Sequence, residues 1–356
     1  MNRTNLKMKS FRILPLAVIC LSLFASCDEA ENSVSEVKDS VLLSVSFKNP
    51  DLDLLWGENW KNEWQYDWDS SDTTYGTLGY STPEIFKGTI YNLDANTGKR
   101  YSNFFKLFGL NENPATLPSG GKYDILLYNT DTENIIFQAS DDFEKYTAST
   151  TITPFGFDSL GVAYKHLDEP DELLGALVTG VDLSKPSTDS MEIDVELNPY
   201  SIIYLIQVVL LNNDDVNDLH VTGARDISVS GLSQGVELFT RKTFDKTLMI
   251  TTEDVKPLRN HSNVRLEDGT VVDNADILAA RMLTWGLPGI NPMDSSKYDP
   301  KASASNENYI MVTLTLSNGR PFCVTKEVTD QMHSKPAGGV ITVSIDTNEI
   351  DRNLTY

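Results

Sequence analysis

The feature that most constrains this chain is a succession of short apolar segments with a period of two, each closed by Asn, Asp, Gly or Pro. Met191-Glu192-Ile193-Asp194-Val195-Glu196-Leu197 alternates strictly and stops at Asn198-Pro199. Successive strand residues point to opposite faces, so a segment of this kind is a half-buried strand. Residues 41–47 alternate over most of their length and end at Asn49-Pro50. Residues 122–129 open after Pro118-Ser119-Gly120-Gly121 and run into the polar turn Thr130-Asp131-Thr132-Glu133, with residues 135–137 as the expected hairpin partner. The most apolar stretch, residues 200–211, reads as a long central strand ending in Asn212-Asn213-Asp214-Asp215. Further strands are expected at residues 226–229, 236–240, 247–251, 309–316, 322–328 and 340–345. Asn318-Gly319 between two of these carries the signature of a tight hairpin.

Helical periodicity is scarce. Residues 274–282 form the best candidate for a short helix, capped by Asp273 or Asn274. Many short strands with polar turns and little helix predict an all-β chain built from antiparallel sandwiches. The 330 residues from Cys27 onward exceed what one core usually serves, so two tandem domains are expected, residues 41–198 and 199–356. No compositional linker marks that boundary, which predicts domains packed directly on each other.

The first 26 residues read as a secretory signal. Arg3, Lys7, Lys9 and Arg12 precede an apolar run over residues 13–24, too short to span a bilayer, and then Ala25-Ser26-Cys27. Small-small-Cys is the pattern of a bacterial lipoprotein, cleaved before the cysteine, whose sulfur receives the lipid. The usual Leu three places before the cysteine is Phe24 here. The expected mature chain begins at Cys27 and hangs from a membrane by its lipid, with residues 27–40 as an acidic tether. Asp28, Glu29 and Glu31 resemble the acidic signal that sends Bacteroidetes lipoproteins to the outer face of the outer membrane; a solvated tether is the compatible, plainer reading.

Removing the signal lowers the Lys and Arg count from 29 to 25 against 51 Asp and Glu, a formal charge of −26. Such a chain repels nucleic acid and anionic headgroups, so neither is an expected partner. Apart from Cys20 in the signal and Cys27, the one cysteine is Cys323. It cannot form an intramolecular disulfide in the mature chain and reads as a small buried hydrophobe within a strand.

Motifs for chemistry are absent. His166, His220, His261 and His333 lie far apart without zinc-ligand spacing, and neither a nucleophile elbow nor a phosphate loop occurs. Asp94-Ala95-Asn96-Thr97-Gly98 begins a calcium-loop rhythm but lacks the later ligands, and Asp214, Asp215 and Asp218 read as an exposed acidic loop. No catalytic residue, metal or cofactor is expected. One constellation stands out: Trp56, Trp60, Trp64 and Trp68 recur every fourth residue, which keeps them on one face of a helix or a strand. Exposed, they would make a stacking platform for sugars or a partner. The expected alternative is that they press into the N-terminal sandwich as core.

Two blocks suggest a family. Leu117-Pro118-Ser119-Gly120-Gly121-Lys122-Tyr123-Asp124 through Tyr128-Asn129, with Asp131-Thr132-Glu133, resembles a passage of fimbrillin-like lipoproteins from Bacteroidetes. Leu314-Thr315-Leu316-Ser317-Asn318-Gly319-Arg320 with Val328-Thr329-Asp330-Gln331 is similar to the end of the same group, in a branch known largely as domains of unknown function. The resemblance implies tandem transthyretin-like β-sandwiches and a non-enzymatic role at the cell surface, as an adhesin or as an anchor or accessory subunit of a fimbria. Expected partners are the membrane, through the lipid, and fimbrial subunits or a host or glycan ligand. Shaft subunits of this group are trimmed by an arginine-specific protease; between Cys27 and Val41 there is no arginine, only Lys38, which favours an anchor-like or stand-alone protein. The alternative is a glycan-binding outer-membrane lipoprotein of a polysaccharide uptake system, using the tryptophan row.

Overall fold

The computed structural model describes residues 40–66, 78–93, 100–109, 115–118, 120–138, 145–157, 163–184, 190–214, 219–294 and 307–350. These residues form an all-β structure of paired sheets with three α-helices of one or two turns and a 3-10 turn at Thr347–Glu349.

The strand that opens the fold, β1 (Ser40–Lys48), lies between β11 (Ser190–Glu196), which runs parallel to it, and β4 (Ala115–Pro118), which runs antiparallel. Its partner sheet has the order β12 (Asn198–Pro199), β10 (Leu174–Asp182), β5 (Lys122–Asn129), β2 (Ile85–Leu93) and β3 (Arg100–Gly109). Alternation in β1 turns Val41 and Leu43 inward, where they meet Val195 of β11 and, from the partner sheet, Phe86, Ile90, Ile125, Leu127 and Leu174. This is the first sandwich.

The second pairs a four-stranded sheet, β17 (Lys256–His261), β20 (Ala275–Thr284), β13 (Ile202–Leu211) and β23 (Gly339–Asp346), with a six-stranded one. The latter has the order β22 (Pro321–Glu327), β21 (Tyr309–Leu316), β14 (Val221–Ser233), β16 (Thr247–Thr252), β9 (Ala163–Leu167) and β8 (Ile152–Phe157). Tyr204, Ile206, Val208, Leu278, Met282 and Val343 of the smaller sheet face Ile227, Ile250, Val312 and Leu314 of the larger. Two small sheets complete the set: β15 (Gly235–Glu237), β7 (Thr147–Ser149) and β6 (Ile136–Gln138); and β18 (Val264–Arg265) with β19 (Val271–Val272).

Strand pairing crosses residue 198. β7 pairs with β15 and β9 pairs with β16, so segments from the first half of the chain complete sheets of the second. The two cores also meet through β5, whose Ile125 and Leu127 enter the first core while Leu126 and Tyr128 enter the second. Residues Lys38–Tyr356 form one compact unit.

Several expectations are met closely, notably the strands at 122–129, 202–211 and 309–316, and the hairpin joining β21 to β22, where Gly319 takes φ +77. Others need correction. Residues 275–284 form β20 and not a helix, paired to β13 from Ile202↔Thr284 to Leu210↔Asp276. Both faces of this strand are buried, so its apolar residues show no clear period of two, and short alanine-rich runs of that sort mimic a helix. Asn274, read as a possible cap, sits at φ +56 in the turn before the strand. Residues 136–138 pair with β7, not with β5, because both edges of β5 are already taken by β2 and β10. Cys323 is exposed: β22 is a sheet edge on which Phe322 and Val324 turn toward the core and Cys323 turns away. Among the described ladders three are parallel, β1 with β11, β13 with β23 and β9 with β16, in an otherwise antiparallel fold.

Candidate functional site

After β1 the chain leaves the first sandwich and crosses the outer face of the four-stranded sheet of the second. Asp51 caps helix α1 (Leu52–Trp56) by accepting from Asp53 N at 2.9 Å, and α2 (Trp60–Glu63) follows. Three tryptophans of the row, Trp56, Trp60 and Trp64, ride on this strap. Trp60 is buried against Ile203, Leu205, Leu283 and Val340, and its indole N–H donates to Asp53 Oδ1 at 2.8 Å. Trp56 meets Trp60 edge-on, with ring centroids 5.1 Å apart, and donates to Ala337 O at 3.1 Å. Trp64, half-buried, packs with both Trp60 and the neighbouring Tyr66, whose hydroxyl donates to Pro257 O at 2.7 Å. Trp56, Trp60 and Trp64 therefore press on a sheet made of residues beyond 200, whereas the sequence left the row either as an exposed platform or as core of the N-terminal sandwich. Trp68 lies outside the described residues, as do Cys27, Asp28, Glu29, Glu31 and the stretch 94–98.

The strap explains why residues 202–211 are apolar on both faces apart from one amide. β13 is buried on both faces, by the second core on one side and by the strap on the other. The one amide in that run, Gln207, is fully buried and fastens the strap. Its Oε1 accepts from Gln65 N at 3.0 Å, and its Nε2 donates to Glu63 O at 2.8 Å and to Thr342 Oγ1 at 2.7 Å. Lys335 adds an ion pair to Glu63 at 2.6 Å. Lys61 pairs with Asp53 at 3.0 Å, and hydrogen bonds from Lys61 and then Trp60 hold the Asp53 carboxyl below its usual range.

A second fastening lies where the chain returns after residue 77. Arg281 of β20 donates to Leu78 O at 3.2 Å and to Gly79 O at 2.9 Å, and pairs with Glu172, which also accepts from Ser81 N at 2.6 Å. Nearby, Glu169 accepts from Leu283 N at 2.7 Å, and loss of water around it pushes its carboxyl up to about 7 despite that hydrogen bond and Arg281. Sequence reading gave no weight to Gln207, Glu169, Glu172 or Arg281. The available signal was Gln207 itself, an amide interrupting an otherwise apolar strand, since a buried amide must find partners.

Beside the strap opens a cleft of about 310 Å³, with Leu54 and Trp56 on one wall, Pro292 and Met293 on another, and Asn198 and Lys335 among the polar lining. Leu54 is 76% exposed at its rim. Among the described residues no group of three or more His, Cys, Asp or Glu could hold a metal ion. His166 is buried in β9, its Nδ1 2.7 Å from Thr251 Oγ1, and burial lowers its affinity for a proton. This is the setting of a core histidine.

Comparison with known proteins fits this picture. Residues 67–253, more than half of the chain, match the model of a domain of unknown function, DUF5119. The chain belongs to the DUF5119 family. No match to a curated protein sequence was found. Among solved structures, this DUF5119 protein is similar to a candidate adhesin from Bacteroides ovatus, at 14% identity and a TM-score of 0.50, over 92% of this chain and 96% of that one. A candidate adhesin from Bacteroides thetaiotaomicron matches at 9% identity and a TM-score of 0.44, over 86% and 91% of the two chains. The fimbrial anchor protein Mfa2 from Porphyromonas gingivalis matches at 11% identity and a TM-score of 0.38, over 86% and 90%. The fold is that of the Bacteroides ovatus protein, in keeping with the fimbrillin-like resemblance of the sequence blocks.

Proposed function

We propose that this protein is a non-enzymatic, lipid-anchored protein of the outer cell surface, acting as an adhesin or as the anchor or accessory subunit of a fimbria. The observation that carries the reading is the fold shared with a candidate adhesin over nearly the full length of both chains. Two further features support the anchored form. Cys27 follows Ala25-Ser26 and an apolar run in the pattern of a lipoprotein signal, and β1, the first strand after it, is held between two neighbours in its own sheet. Expression of the wild type with radiolabelled fatty acid should label it, and Cys27→Ala should abolish both labelling and membrane retention. Equal retention of the mutant would remove the anchor from the proposal. Replacing Asp28, Glu29 and Glu31 with Ala should shield the protein from protease added to intact cells, if those carboxylates direct it outward.

A second reading is favoured by one observation, the cleft beside Trp56. An indole wall next to polar groups is the chemistry that holds a neutral sugar ring, and it would make this a glycan-binding lipoprotein. Trp56→Ala would then abolish retention on a neutral polysaccharide column while the melting temperature falls only modestly; unchanged retention, or none in the wild type, leaves the first reading alone.

A further inference from the structure

We infer that β1 and β11 form a mechanical clamp that passes tension from the N-terminal tether into the core. The source of the tension rests on the anchored reading above; the clamp itself rests on strand geometry. The two strands are parallel and in register from Leu42↔Ser190 to Lys48↔Glu196, and Leu197 N extends the ladder by donating to Lys48 O at 2.9 Å. On its other side β1 pairs antiparallel with β4, from Ser40↔Pro118 to Leu43↔Ala115.

The direction of pull decides how such a ladder fails. The chain enters β1 at Ser40 and leaves β11 at Glu196, from where it runs through β12 to β13 in the middle of the second sandwich. Tension applied at Ser40 and resisted at β13 draws two parallel strands past each other along their length. Every rung of the ladder is then strained at once, whereas prying the strands apart from one end breaks the rungs in turn. Packing along β1 resists the same slide: Val41 and Leu43 are buried, Phe47 stacks on Phe86 with centroids 3.9 Å apart, and Ser46 donates to Asp194.

The strap adds a second hold. Beyond Lys48 the chain continues into the segment fixed by Trp60, Gln65 and Gln207 to the four-stranded sheet. β1 cannot slide out toward its N-terminus unless that segment lets go as well. Ladder and strap share the tension, and the load reaches the largest core before any sheet opens.

Single-molecule pulling on the full chain tests this. Cys20, Cys27 and Cys323 are replaced by Ser so that only introduced cysteines take the handles. Handles at residues 40 and 198 load the β1–β11 pair in shear, and handles at 40 and 190 peel it from one end. The expected rupture force at equal loading rate is several times higher for 40 and 198. Equal forces, or a lower force in the shear geometry, would overturn the clamp. Membrane retention of Cys27→Ala decides the anchor separately, so the two readings fail by different measurements.

Discussion

Trp60 shows how one side chain is recruited to two tasks. Its ring fills the outer face of the four-stranded sheet while its N–H satisfies Asp53 inside the same strap, so truncation would remove packing and leave an acceptor to water. Trp60→Ala is expected to cost about 3–5 kcal/mol, the usual range for a buried large aromatic. Leu54→Ala, on the same strap but 76% exposed, should stay within about 0.5 kcal/mol. Urea unfolding of both variants checks the contrast, and equal effects would mean the strap is not core. Glu169 gives a pH signature. Its carboxyl is raised from 4.5 to about 7 in the folded chain, so the folded state binds the proton more tightly than the unfolded one. The stability this contributes is fully present below about pH 4.5 and is lost as pH rises through about 7. Glu169→Gln keeps an acceptor for Leu283 N without a charge. Its stability relative to wild type should therefore rise between pH 5 and pH 7.5, and a constant difference across that range would refute the assignment.

At the scale of elements, legibility followed burial. Strands with one face in a core, such as β1, β11 and β21, alternate and could be placed from the sequence alone. β20 could not, because the strap covers its second face and Ala275, Ile277 and Ala279 pack there as Leu278, Ala280 and Met282 pack in the core. The strap itself was visible as a four-residue tryptophan spacing, but its landing place was not, since nothing local to residues 51–66 specifies a sheet about 150 residues away. One element that secures it is the turn before β23. Gly338 takes φ +95, and a Cβ there would lie 2.3 Å from Ile203 O and 2.9 Å from the Trp56 indole nitrogen. Gly338→Ala should destabilise by roughly 1–3 kcal/mol for the left-handed backbone alone, with more from the clash. Amide exchange in residues 52–66 should speed up in this variant beyond the change in β1 and β5. A uniform change across all three would show that the turn supports global stability and has no special hold on the strap.

For the whole molecule, the all-β class and the paired sandwiches could be read from turn spacing and alternation, whereas the exchange of segments between halves could not. β6 to β9 lie before residue 198 in sequence, yet β7 and β9 pair with strands beyond it, and the strap covers a sheet of the second half. Such pairings are set by which edges remain open once nearer partners have taken theirs, and a sequence carries no local mark of them. The consequence is cooperativity. A fragment of residues 199–356 would expose Ile203, Leu205 and Leu283, now under Trp60, and would leave β16 without β9. A fragment of residues 41–198 would expose Leu126, Tyr128, Tyr146 and Ala148, which belong to the larger core. Each fragment expressed alone should therefore be aggregated or loosely folded, while the two expressed together should associate into a soluble complex with the far-ultraviolet spectrum of the intact chain. The intact chain should unfold in urea as one transition, with intrinsic fluorescence and far-ultraviolet signals changing together. Two separated transitions, or a soluble and cooperatively folded fragment, would show that the halves are independent domains and that the crossing strands only decorate them.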